Sequence, residues 1–290
     1  MNVENVIEVQ QVSKAYKNFE VKDLSFSIPK GYVTGFIGAN GAGKSTTIKL
    51  LLNLVKKDSG SIKVFGLDHQ KHEKEIKERI GFVFDENVYY DDLTLLQLRR
   101  LIAPMYSNWD DHLFHHYVTT FQLPEKVKLK KMSKGMKMKV SLAFALSHHA
   151  DLIIMDEPTS GLDPIFRREI LEILYELMQD ENKTIFFSSH ITTDLDKIAD
   201  YITFIQEGRL IFNKDYHSIL EEYGLVKGSN DLLTAEAANE FVSVRKTNVG
   251  FEALSKNINQ TKNHFGNSVL IEKPSLEDIM YFTKKGNMYV

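Results

Sequence analysis

The run Gly38-Ala39-Asn40-Gly41-Ala42-Gly43-Lys44-Ser45 has the spacing Gly, four residues, Gly-Lys-Ser. It lies between a short apolar run, Tyr32 to Ile37, and a stretch from Ser45 to Leu54 with the apolar spacing of a helix. Strand, glycine-rich loop and helix in that order make a cradle for a polyphosphate. Glycines let main-chain N–H groups turn inward around phosphate oxygens, and the helix N-terminus adds a favourable dipole. In this frame Lys44 neutralises the outer phosphates and Ser45 is placed to ligate Mg²⁺, with Gly38, Asn40, Gly41, Ala42, Gly43 and Thr46 completing the binding set. A second element is Leu152-Ile153-Ile154-Met155-Asp156-Glu157, a hydrophobic strand ending in two carboxylates. Neighbouring side chains at a strand end point in different directions, so Asp156 can hold the Mg²⁺ shell while Glu157 orients or deprotonates an attacking water.

Further along the chain these residues accumulate into a resemblance. Met132-Ser133-Lys134-Gly135-Met136 looks like a variant of the Leu-Ser-Gly-Gly-Gln signature of the ATP-binding cassette family. Asp156-Glu157-Pro158-Thr159-Ser160-Gly161-Leu162-Asp163 resembles that family's Walker B and D-loop run, and Ser188-Ser189-His190 its switch histidine. The similarity extends over roughly Val6 to Gly224. It implies ATP and Mg²⁺ as ligands and a head-to-tail dimer, homomeric or with a second, non-identical ATPase. In that dimer Ser133 and Gly135 of one protomer meet the γ-phosphate held by the other, His190 contacts the γ-phosphate and the attacking water, and Asp163 lies at the seam. Tyr16 matches the position that stacks on adenine, with Phe19 as a rival. Two departures stand out. Asp85 occupies the position of the Q-loop glutamine that normally ligates Mg²⁺, a role that either stays there or passes to Glu86. Lys134 and Met136 replace the commoner Gly and Gln, as in ATPase subunits of bacterial drug and peptide exporters.

The resemblance implies a P-loop NTPase fold: an α/β core with a parallel sheet, a β-rich edge, a helical signature subdomain and a small α/β C-terminal extension. The patterning of the chain agrees with it. Val6 to Val12 and Val21 to Ile28 read as edge strands, and residues 87–131 as a mostly helical insertion divided by Pro104 and Pro124. Lys134 to Leu146 and Phe166 to Met178 read as helices, Leu152 to Met155 and Thr184 to Ser188 as buried strands, and such alternation implies a parallel sheet. We expect a cassette over residues 1–227, with its helical subdomain at about 87–147, and an extension over 228–290. In the extension, Phe241 to Arg245 and Ser268 to Glu272 read as strands, Phe251 to Asn259 and Leu276 to Phe282 as helices, the last opened by a Ser275–Asp278 capping box.

Composition bounds the function. At 290 residues with 43% hydrophobic and 26% charged residues, the chain can bury a substantial core. A net charge of −3 gives no basic footprint, so no nucleic-acid partner is expected. Without cysteine, thiolate chemistry and disulfides are excluded. The start of the chain does not read as a secretory signal, and no segment approaches the roughly 20 apolar residues that span a bilayer. The expectation is therefore an ATPase at the cytoplasmic face of a membrane, driving a separate transmembrane subunit that exports a peptide or drug. The alternatives are a soluble cassette ATPase of translation or DNA repair and a weakly hydrolysing regulatory subunit. His112, His115 and His116 fit no closed metal-ligand set, and a polar helix face explains them. The Lys126 to Lys139 cluster reads as a solvated or nucleotide-facing surface.

Overall fold

The computed structural model describes residues 4–84 and 89–286. The chain divides into two compact units, one of residues up to Ile191 together with Thr203–Asn213, the other of Thr192–Ile202 and the residues from Lys214 on.

In the first unit, β1 (Asn5–Tyr16) and β2 (Phe19–Pro29) pair antiparallel, followed by β3 (Val33–Ile37) and α1 (Lys44–Leu51). Next come β4 (Ser59–Val64), β5 (Leu67–Asp68), α2 (Glu73–Glu78) and β6 (Ile80–Val83). The helical region holds α3 (Leu95–Ile102), α4 (Asp111–Thr120) and α5 (Lys134–Leu146). It is followed by β7 (Leu152–Asp156), α6 (Pro164–Leu177) and β8 (Thr184–Ser189). After α7 (Thr192–Ile198), β9 (Tyr201–Gln206) and β10 (Arg209–Asp215) complete the central sheet, whose order is β10-β9-β3-β8-β7-β6. Within it β3, β8, β7 and β6 run parallel, as the alternation of strands and helices predicts. A separate sheet, β2-β1-β4-β5, forms the edge layer.

The two sheets share one core. Val9, Leu24 and Phe26 of the edge sheet join Phe36, Ile154 and Phe186 of the central sheet and Ile48 and Leu51 of α1 in a single buried cluster. The Phe26 ring stacks on Phe36 at 6.1 Å, and Phe36 on Phe186 at 5.2 Å. Rings at these separations add about 0.5–1.5 kcal/mol per pair beyond area burial. The helical region is capped as its sequence demands. Thr94 and Gln97 form a reciprocal capping box on α3, and Asp110 accepts from Leu113 N–H at the start of α4. Pro104 sits in a 3₁₀ turn, Ala103–Met105, that ends the α3 segment. His112, His115 and His116 lie exposed on α4, and among the described residues no group of three or more His, Asp or Glu is placed to hold a metal. The lysine cluster is ion-paired: Lys130 with Asp92 at 2.6 Å and Lys137 with Asp91 at 2.8 Å.

The second unit contains α7, α8 (Tyr216–Glu222), β11 (Gly224–Gly228), α9 (Ala235–Ala238), β12 (Phe241–Thr247), β13 (Gly250–Ser255), α10 (Ile258–Phe265), β14 (Leu270–Glu272) and α11 (Leu276–Gly286). Its antiparallel sheet has the order β12-β13-β11-β14, over a core of Val226, Phe241, Phe251, Ala253 and Phe265. The expected boundary between residues 227 and 228 falls inside β11. The expected helix from Phe251 to Asn259 is instead a strand followed by a helix start. Glu252-Ala253-Leu254 favours helix by propensity, but pairing with β11 on one side and β12 on the other overrides it. The Ser275–Asp278 box is present in both directions, at 2.9 and 3.1 Å.

One buried histidine anchors the helical region to the sheet. His148, 2% exposed at the end of α5, places its two ring nitrogens 3.1 Å from the carbonyl oxygens of Phe144 and Ile80 and stacks on Tyr106 at 3.9 Å. Burial pushes its pKa below the ordinary 6.5, against the two carbonyl contacts and Glu78, which raise it, and together with Lys183, which lowers it. The unfolded chain therefore takes up a proton that the folded chain resists. This contribution to stability is fully present above about pH 6.5 and is lost as the pH falls through the lowered folded pKa. Buried His69, also shifted down by burial, adds to the same slope. We expect the melting temperature to fall between about pH 7.5 and 5 with a slope that His148→Gln reduces, His69 keeping the remainder. Thermal unfolding monitored by circular dichroism across this range checks it, and parallel wild-type and variant curves would refute it.

Candidate nucleotide site

The glycine-rich loop leaves β3 at the C-terminal edge of the parallel strands, where open α/β sheets place their ligands. Three glycines have separate reasons to be there. A Cβ on Gly38 would meet the Ile205 carbonyl at 2.5 Å, and Gly41 and Gly43 have φ of +80° and +108°. α1 starts from Gly43 without any side-chain cap, whereas α3, α4, α5 and α6 are capped by Thr94, Asp110, Ser133 and Asp163. Its first N–H groups are thus left for an external acceptor. Asn40, Gly41, Gly43, Lys44, Ser45 and Thr46 form the floor of a cleft of about 540 Å³. Phe19, Glu157, Ser160 and His190 wall it.

Charge in the cleft is organised around Glu157. Lys44, 6% exposed, places its ammonium 3.1 Å from Glu157 Oε1 and donates to the Gly38 carbonyl at 2.8 Å. His190 Nδ1 lies 2.6 Å from Glu157 Oε2, and the His190 main-chain N–H donates to the same oxygen at 3.2 Å. Both carboxylate oxygens are therefore engaged, by groups from two different segments. Glu157 adopts φ +51°, a left-handed conformation that is costly for a residue with a Cβ, and this turn separates its side chain from that of Asp156. Asp156 accepts from Ser188 Oγ at 2.6 Å, and Ser188 Oγ in turn accepts from the Glu157 N–H at 3.0 Å. Ser188 thereby spaces the two carboxylates.

The remaining expected residues fall into two groups. Ala42 is buried beneath the loop, where its carbonyl accepts from Gly208 N–H at 2.9 Å. Phe19 lines the cleft, its ring tip 3.0 Å from where a Gly43 Cβ would stand; Tyr16 is 46% exposed and is not among the lining residues. Ser133 and Asp163 cap α5 and α6, Asp163 accepting from Ile165 and Phe166 N–H at 3.0 and 3.1 Å. Gly135 is buried, with a hypothetical Cβ only 2.6 Å from the Phe166 ring, so packing between α5 and α6 already requires glycine there. Asp85 and Glu86 lie outside the described residues. Sequence reasoning did not single out Ser188 or Ser160 as site residues; Ser188 stood in the switch run and Ser160 in the D-loop run, and only the approach of β8 to β7 and the turn after Glu157 gives them their places.

The arrangement fits a magnesium polyphosphate. An uncapped helix N-terminus and a buried ammonium suit the phosphates, while the exposed Ser45 hydroxyl and Asp156 supply the hard oxygen donors that Mg²⁺ takes alongside phosphate oxygens. Comparison with known proteins agrees. Residues 21–160 match the family described as ABC transporter. The chain is 37% identical over 211 residues to the bacitracin transport ATP-binding protein BcrA of Bacillus licheniformis, covering 71% of this chain and 68% of that one. It is 36% identical over 220 residues to the lantibiotic transport ATP-binding protein SrtF of Streptococcus pyogenes, covering 73% and 91%. Among solved structures, an ATP-binding subunit of an ABC transporter superposes with a TM-score of 0.67 at 28% identity, covering 74% of this chain and 91% of that one. A dimeric ATP-binding cassette in a post-hydrolysis state with ADP and Pi matches in fold, with a TM-score of 0.63 at 23% identity over 72% and 98% of the two chains. The chain thus belongs to the ABC transporter family and is an ATP-hydrolysing, ATP-binding subunit.

Proposed function

We propose that this subunit works as a dimer closing over two ATP molecules and that its cycle drives a separate membrane-spanning partner exporting a peptide or drug. The observation that carries the reading is the convergence of Lys44 and His190 on the two oxygens of Glu157. The transported class is supported by relatives whose names specify bacitracin and lantibiotic transport. No described helix is long and apolar enough to cross a membrane, which fits a partner that supplies the spans, and on this reading the chain works at the cytoplasmic face. A role in translation or DNA repair has nothing comparable in its favour.

ATP entering the cleft brings phosphate oxygens that compete with Glu157 for the Lys44 ammonium. Glu157 Oε1 is released, Oε2 stays on His190, and the freed carboxylate orients a water and takes its proton as the γ-phosphate is attacked. Mg²⁺, held by Ser45, Asp156 and phosphate oxygens, supplies charge neutralisation on the phosphates when bound. Ser133, with the adjoining start of α5, faces the γ-phosphate of the partner protomer, which makes hydrolysis dimer-dependent. Phe19 gives the adenine its wall.

We expect the specific rate of ATP hydrolysis to rise with protein concentration and Glu157→Gln to lower kcat by about a hundredfold or more. Steady-state phosphate release over a dilution series checks this; a rate independent of concentration sinks the dimer reading, and an active Glu157→Gln sinks the assignment of the base. For the adenine wall, Phe19→Ala should weaken ATP binding about tenfold, by loss of ring stacking worth about 1–3 kcal/mol, and Tyr16→Ala should weaken it less. Titration with a fluorescent ATP analogue decides between them, and the reverse order of effects would return the adenine to Tyr16.

A further inference from the structure

Lys134 stands in the signature where glycine is commoner, and its side chain has a defined seat. An ideal Cβ on Gly161 would lie 3.3 Å from Lys134 Nζ and 3.8 Å from its Cδ, so the lysine stem and ammonium pass over the open face of that glycine. Gly161 has φ +66°, a conformation that disfavours any side chain that would close the seat. The turn containing it is held at both ends. Glu157 is fixed by Lys44 and His190, Ser160 N–H donates to the Glu157 carbonyl at 3.1 Å, and Asp163 caps α6. Ser160, the residue before Gly161, lines the nucleotide cleft.

Two further contacts run along the same seam between α5 and α6. Gly135 packs against the Phe166 ring, and Lys139 lies 5.1 Å above that ring while pairing with Glu169 at 2.5 Å. The start of α5 is therefore joined to the turn that leaves the catalytic carboxylate, and Lys134 is the contact nearest the cleft. Its location is electrostatically expensive, since α5 has no acidic residue in its first turn and a cation there opposes the helix dipole.

We propose that Lys134 is a positioning residue for hydrolysis, transmitting the state of one nucleotide cleft through the Gly161 turn to the N-terminus of α5. The inference rests on the dimer reading above, in which that N-terminus faces the partner's ATP. When phosphate draws Lys44 from Glu157, the turn from Glu157 to Asp163 shifts, and the seated Lys134 carries the start of α5 with it. A glycine at position 134 has no side chain to make this link.

The test uses the full chain and four variants: Lys134→Met, which keeps the stem and removes the charge, Lys134→Gly, Lys134→Arg, and Lys131→Met as a neighbouring exposed lysine. Hydrolysis is measured against ATP concentration, with affinity for a fluorescent ATP analogue and melting temperature alongside. We expect Lys134→Met and Lys134→Gly to lower kcat about tenfold and to bring the Hill coefficient for ATP to about one, with analogue affinity and melting temperature held, the scale of loss being that of a misplaced reacting group. Lys134→Arg restores most of kcat, and Lys131→Met matches wild type. The proposal is overturned if Lys134→Gly keeps the wild-type kcat, if Lys131→Met loses as much as Lys134→Met, or if Lys134→Arg is no better than Lys134→Gly. A wild-type rate independent of protein concentration overturns the dimer reading and this inference together, whereas a concentration-dependent wild type with an unaffected Lys134→Gly overturns this inference alone.

Discussion

Lys44 and His190 meet at Glu157 from separate segments, and the architecture is arranged to bring the three together. Lys44 comes from the start of α1, Glu157 from the end of β7 and His190 from just beyond β8. All three sit at the same edge because β3, β7 and β8 are parallel neighbours, so their C-terminal ends are adjacent by topology. Taking a lysine and a glutamate to 6% and 12% exposure removes much of their hydration, and such pairs gain little unless every remaining oxygen is satisfied. Here the second oxygen of Glu157 is satisfied twice by His190. The constellation is therefore stable as it stands, yet open to exchange with any anion that offers Lys44 a better partner.

The rest of the first unit supplies the stiffness this exchange requires. The phosphate loop cannot drift from the sheet, because Gly38 sits against the Ile205 carbonyl with no room for a Cβ. The sheet beneath is locked to the edge layer through the Phe26, Phe36 and Phe186 stack. On the other side, α5 is tied to β6 by His148 and to α6 by Gly135 and Lys139. A small displacement at Glu157 is then passed on rather than absorbed, because close-packed interiors shift as units.

Much of this was legible in the sequence where local pattern and chemistry coincide. The loop from Gly38 to Ser45 announces itself because only glycine fits its backbone, and Asp156-Glu157 because a wholly apolar run ends abruptly in two acids. The cap at Ser275 follows from a side chain bonding its own neighbourhood. What escaped depends on approach between distant segments. Phe19 and Tyr16 are three residues apart in one hairpin, and nothing local tells which ring faces the cleft. Gly135 is expected at the partner's phosphate from its motif, and nothing local shows that Phe166 also packs against it. β13 carries helix-favouring residues and becomes a strand through its two neighbours, which no local signal contains.

Two of the local conflicts in the structure lie at the two ends of one short path. Glu157 takes a left-handed backbone that its side chain disfavours, and Lys134 puts a positive charge into the first turn of a helix, where it opposes the dipole. Natural sequences are locally consistent except where function requires otherwise, so conflicts that cluster are more informative than conflicts that scatter. The path between these two passes through Ser160, which lines the cleft, and Gly161, which receives the lysine. Strain at the carboxylate and misplaced charge at the signature are thus physically continuous, and a ligand that relieves the first by attracting Lys44 acts on the element that bears the second.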